Sequence, residues 1–131
     1  MNDNALIYEY SVVRYVPRVE REEFLNIGLL MMCKRRKWLR SSMHIDPTRI
    51  LAFDPDADID ALHCQLAMFN ADTCTLADCP VEERFRWLSA VKSSVIQTSR
   101  PHPGMIDCDN THNAAQLLDD TFSRLMQELV L

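Results

Sequence analysis

Between residues 6 and 33 the apolar positions first alternate and then run together, in lengths that suit strands. Residues 6–16 are rich in Tyr, Val and Ile, which favours an extended chain. Alternation puts Leu6, Tyr8, Tyr10, Val12, Arg14 and Val16 on one face, and Ile7, Glu9, Ser11, Val13 and Tyr15 on the other. Pro17 ends this strand, and the charged connection 17–23 belongs in solvent. Residues 24–33 make a second strand. Leu25, Ile27, Leu29, Met31 and Cys33 form one wholly apolar face; Phe24, Asn26, Gly28, Leu30 and Met32 form the other. A strand apolar on both faces is usually central and covered on both sides. Gly28 within it signals a bulge or a close approach by another group. Leu and Met also favour helices, but the partner strand and the cationic turn 34–37 decide for a sheet. Residues 38–45 return as a third strand, with Leu39, Met43 and Ile45 on its apolar side.

Beyond this point the period changes to that of helices. Asp46-Pro47 is a helix start with proline at the first position, opening a short turn over 48–52. Ile59, Leu62, Leu66 and Phe69 make one helical stripe, preceded by acids that suit a helix N-terminus. Asp78-Cys79-Pro80 opens a further helix whose buried side is Val81, Phe85, Leu88 and Val91. Residues 93–98 form a fourth strand or an extended link. Residues 98–104, with two prolines, read as a stiff loop. Asn110-Thr111 is the expected cap of a last helix carrying Ala114, Leu118, Phe122, Leu125 and Leu129. Strands first and helices after predict an α+β fold: a small N-terminal antiparallel sheet of three to four strands packed by three main helices. With 131 residues and no linker or repeat, a single domain over 1–131 is expected.

Charge sharpens this picture. The net charge is −5, which argues against a general nucleic-acid binder. Residues 14–40 carry eight Lys or Arg and three Glu, a net of +5, whereas residues 46–83 carry nine acids and one Arg, a net of −8. A basic hairpin thus precedes an acidic helical region. Such a split either steers a charged partner or is two solvated faces in weak attraction. The cations of 34–37 beside Trp38 and Arg40 could contact phosphates and bases, but a cationic tip more often keeps a sheet edge soluble. No apolar run has membrane length, and the polar, acidic start is unlike a signal peptide. With five cysteines, an odd number, and no CxxC pair, reduced thiols and the cytoplasm are expected, and no metal site.

P-loop, Rossmann, HExxH, GxSxG and EF-hand patterns are absent, so no cofactor is expected. Two clusters remain. In the first, Arg14 and Asn26 lie near one end of the hairpin, beside Glu20 and Glu23. Arg14 could pair with Glu23 while Asn26 ties down the loop. Alternatively Arg14 and Asn26 face an anionic ligand, with Glu23 as acid or base. In the second, Arg100-Pro101-His102-Pro103 offers His102 as the best-placed base in the chain. His44, His63 and His112 are weaker candidates.

The run YSVVRYVPRVEREEFLNIGLLMM, with its Tyr-Ser-x-x-Arg-Tyr-x-Pro strand, the acidic Glu22-Glu23-Phe24 and Asn26-x-Gly28, resembles the opening of the bacterial family called domain of unknown function 3037. The helix Phe85-Arg-Trp-Leu88 and the run from Ile96 to Gly104 are similar to that family's second block. The resemblance implies an accessory protein or antitoxin-like partner of a HipA-like serine/threonine kinase. It brings no established catalytic residues. The candidate site is therefore Arg14, Glu23, Asn26, Gly28, Arg100, Pro101 and His102, on the physical grounds above. Three readings follow. The first is a protein-binding accessory. The second is a small enzyme or binding protein taking a phosphorylated or nucleotide ligand through Arg14, Glu23, Asn26, Arg100 and His102. The third is a structural or homodimeric module. An exposed apolar patch would favour the first; the second requires both clusters to converge on one cleft.

Overall fold

The computed structural model describes residues 5–70, 78–90, 93–108 and 113–131. Among them the chain forms five strands and four α-helices: β1 (Ala5–Tyr15), β2 (Leu25–Cys33), β3 (Trp38–Met43), α1 (Pro47–Phe53), α2 (Ile59–Leu66), α3 (Val81–Ser89), β4 (Ile96–Thr98), β5 (His102–Asp107) and α4 (Ala114–Leu129). The fold is α+β, with an antiparallel sheet in the order β3-β2-β1-β4 and β5 also paired to β1.

β1 and β2 form the expected hairpin, and β2 is indeed central: every residue from Ile27 to Cys33 is buried. Helices cover the sheet on both faces. Ile50 of α1, Leu62 and Leu66 of α2, and Phe85 and Leu88 of α3 pack on Val13, Tyr15, Leu30 and Met32. Leu118, Phe122, Leu125 and Met126 of α4 pack on Leu6, Tyr8, Val12, Leu29 and Met31. The helix stripes thus work as their spacing requires. Asp46 caps α1 and Asp58 caps α2, their carboxylates accepting backbone N–H bonds. The cap of α4 is Asn113, whose side chain accepts from Ala115 N. The expected cap at Asn110 and Thr111 lies outside the described residues, as do Val91, Cys74 and His112.

Two departures from simple alternation matter. The register slips between Val13 and Arg14, where Val13 faces Gly28 and Arg14 faces Asn26. This bulge changes the parity of β2. Ile27 therefore joins Leu30 and Met32 on the α1–α3 face, while Leu29, Met31 and Cys33 face α4. Alternation had placed Ile27 with Leu29, Met31 and Cys33. Second, the stiff loop expected over 98–104 holds the end of β4 and the start of β5, with only 99–101 between them. β4 pairs with the last residues of β1, and β5 pairs with its first six. Proline is tolerated in an edge strand, where a missing N–H need not break a ladder.

The step from β4 to β5 is bridged by two buried serines. Ser99 N donates to Val12 O at 2.8 Å, Val12 N donates to Ser99 Oγ at 2.9 Å, and Ser11 Oγ donates to Ser99 O at 2.6 Å. Ser11 is fully buried and Ser99 nearly so, so these bonds satisfy groups that would otherwise be orphaned. Both glycines of the chain lie where a side chain has no room. A Cβ on Gly28 would sit 2.3 Å from Met43 Sδ, and one on Gly104 would sit 2.2 Å from Tyr8 Cζ.

Candidate functional site

Arg14 and Asn26 are direct cross-strand partners at the bulge, as the hairpin reading requires. Their bonding differs from the expected network. Arg14 stacks its guanidinium on the Phe24 ring, 4.1 Å from the centroid. Glu23 instead accepts from Arg21 Nε at 2.8 Å on the exposed connection. The Arg14–Glu23 pair is thus replaced by one local ion pair and one stack. A residue two positions away reaches Glu23 with less ordering than a strand residue held by its neighbours. Asn26 Nδ2 donates to Leu129 O at 3.0 Å, tying the bulge to the end of α4. Arg49 donates to Val130 O close by. Arg14 Nε and Asn26 Oδ1 are both buried with no hydrogen-bond partner among the described residues, one a donor and the other an acceptor.

Gly28 lies in the same bulge, where it admits Met43. Its role there is room for a side chain. Glu23 lines a cleft of about 230 Å3 with Arg18 and Arg21, facing Asp54 and Asp56. Beside this cleft Tyr15 donates to Asp54 Oδ2 at 2.5 Å. Burial, that bond and the negative charge of Asp54 hold the Tyr15 hydroxyl well above the usual phenol range.

His102 is the first residue of β5. It pairs with Tyr10, their ring centroids 5.2 Å apart, and it is exposed, as are Arg100 and Pro101. His102 and Arg14 are on the same face of the sheet but four β1 positions apart, roughly 13 Å at ~3.3 Å per residue. Val12, between them on that face, is buried in the α4 core. The two clusters therefore do not share a cleft. His44 and His63 are exposed. Among the described residues no group of three His, Cys, Asp or Glu side chains is placed to hold a metal ion, and no helix is long and apolar enough to cross a membrane.

A different region was missed by sequence reasoning. Ile7 and Met105 face each other across β1 and β5, and they are 63% and 65% exposed. They sit on the face covered by α1–α3 further along the sheet, at a corner those helices leave open. Sequence gave half of the signal: Ile7 stood on the same face as Glu9 and Ser11. Its partner could not be found because residues 98–104 read as a stiff loop, which hid the start of β5. A groove of about 620 Å3 lies at this corner, lined by Ala5, Ile7, Glu9, Met32, Lys34 and Arg35. Lys34 to Lys37 are all exposed beside it, and none takes part in an ion pair among the described residues.

A family model described as protein of unknown function (DUF3037) matches residues 10–130. No curated protein and no solved structure gives a match. The matched span runs from within β1 to the end of α4 and takes in both halves of the sheet, so the chain belongs to the DUF3037 family.

Proposed function

We propose that this protein works by binding another protein, and that the Ile7–Met105 corner of the sheet is the contact surface. One observation carries the reading. Two large apolar side chains are paired across strands and left more than three-fifths exposed, beside an apolar groove. Contiguous exposed apolar surface, rimmed by polar groups, is characteristic of interaction sites. The partner that the family resemblance implies is a HipA-like serine/threonine kinase, with this chain as its accessory or antitoxin-like regulator. The cations of 34–37, in no ion pair among the described residues, would speed encounter with an acidic surface.

The test is a pull-down of a purified HipA-like kinase from the same organism, run at increasing salt. The wild-type chain retains the kinase, and retention declines as salt rises. An Ile7→Glu, Met105→Glu double variant, folded by circular dichroism, loses at least about tenfold in affinity, since it places two charges in the contact. Equal retention by the variant removes the corner as the contact. No retention by the wild type removes the kinase as the partner.

A further inference from the structure

The open corner continues into a second groove of about 250 Å3, which shares Glu9, Met32 and Lys34 and runs along α3 past Glu82, Phe85 and Arg86 to Pro101. The floor is apolar at one end, through Ile7 and Met32, and Met105 stands exposed across the strands from Ile7. The rim is cationic at the other, through Lys34 and Arg35. We infer that the occupant of this surface is an acidic peptide segment carrying one or two large aliphatic side chains. This rests on the protein-binding reading above and specifies the chemistry of what binds.

Three observations select this occupant. Four consecutive cations, Lys34, Arg35, Arg36 and Lys37, project from the β2–β3 turn without an ion pair among the described residues, so their charge is available to carboxylates. The groove beside them needs an apolar filler, which a free anion does not supply. The one aromatic ring at the turn is not free for a base to stack on: Trp38 is packed edge-on against Phe122, centroids 6.3 Å apart, on the α4 side of the sheet. Cations without a stacking platform are a poor site for single-stranded nucleic acid. Glu9 on the floor fixes the polarity, because the segment's carboxylates must lie toward Lys34 and Arg35 and its aliphatic groups toward Ile7 and Met105.

The test uses the full chain and fluorescence anisotropy with a labelled 14-residue peptide bearing five Glu and two Leu. Controls are the same peptide with Leu replaced by Ala, the same peptide with Glu replaced by Gln, and a single-stranded RNA of equal charge. The acidic peptide binds, and affinity drops about tenfold on losing the two leucines. The Glu-to-Gln peptide binds about tenfold more weakly, with its salt dependence gone. Lys34→Glu, Arg35→Glu and Ile7→Ser, Met105→Ser variants, each folded by circular dichroism, reproduce these two losses separately. Absence of peptide binding up to about 1 mM overturns the inference, as does RNA binding at equal affinity. If the Ile7→Ser, Met105→Ser variant loses the kinase while Lys34→Glu, Arg35→Glu keeps it, the corner remains the contact and the acidic segment is wrong.

Discussion

Gly104→Ala is a sharp probe of how β5 is held. The added Cβ would lie 2.2 Å from Tyr8 Cζ, 2.3 Å from its hydroxyl oxygen and 2.6 Å from Cε2. Carbon atoms in contact prefer ~3.5–4.0 Å, so the ring must retreat by well over an ångström. Tyr8 is only 7% exposed and packs into the α4 core, which leaves it little room to do so. Overpacking of this kind costs about 1–3 kcal/mol. Against it stands about 0.5–1 kcal/mol from relieving glycine's entropy cost in a strand. The net expectation is a loss of about 1–2 kcal/mol. In a Tyr8→Ala background the obstacle is gone, and the same change should stabilise by about 0.5–1 kcal/mol. The coupling between the two sites is then the overpacking cost itself, about 1–3 kcal/mol, within the range measured for residues in contact. Urea unfolding of the four proteins gives it directly, provided m stays constant and only the midpoint moves. A coupling below about 0.5 kcal/mol would refute the argument, since additivity at that level describes sites that do not touch.

Ser99→Ala removes the acceptor of the buried Val12 N–H and should cost about 1–3 kcal/mol in urea unfolding, whereas an exposed control, Ser94→Ala, should be close to neutral. Tyr15→Phe should cost about 2 kcal/mol at neutral pH through loss of a bond to a carboxylate. Because the folded state raises this hydroxyl's pKa, its contribution is complete below the unfolded phenol value near ~10 and is lost as pH rises beyond it. The wild-type and Tyr15→Phe stability curves, measured by chemical unfolding across alkaline pH, should therefore converge. Glu22 has a φ of 56° in the turn before β2, a left-handed conformation unfavourable to a side chain. Glu22→Gly should stabilise by about 0.5–1 kcal/mol, seen as a rise in midpoint temperature.

The first three strands and the helix stripes were legible because their signals are local. Tyr, Val and Ile alternate in β1, cations mark the β2–β3 turn, and Ile59, Leu62 and Leu66 repeat at helical spacing. The bulge was signalled by Gly28, but its effect on parity was not, because a single extra residue reverses every later position. β5 was hidden by Pro101, Pro103 and Gly104, which read as punctuation. There the prolines sit on or beside an edge strand and the glycine makes room for Tyr8. Arg14 and Asn26 were correctly placed together, since hairpin pairing follows from strand order. Their partners were not legible. Phe24 and Leu129 are reached through geometry that spacing does not encode. The Ser11–Ser99 contact and the Ile7–Met105 corner depend on the same late pairing of β1, and both were invisible for that reason.

β1 is hydrogen-bonded to β2 on one side and to β4 and β5 on the other, and the bond from Ser11 to Ser99 spans 88 residues. During synthesis on the ribosome, β1 emerges well before the two strands that complete its outer edge. Its outer edge stays bare until β4 and β5 have emerged. Contacts that close such long loops slow folding, and a waiting apolar edge recruits other nascent chains. Substitutions in the short late strands β4 and β5 should therefore be felt first as lost yield of folded protein.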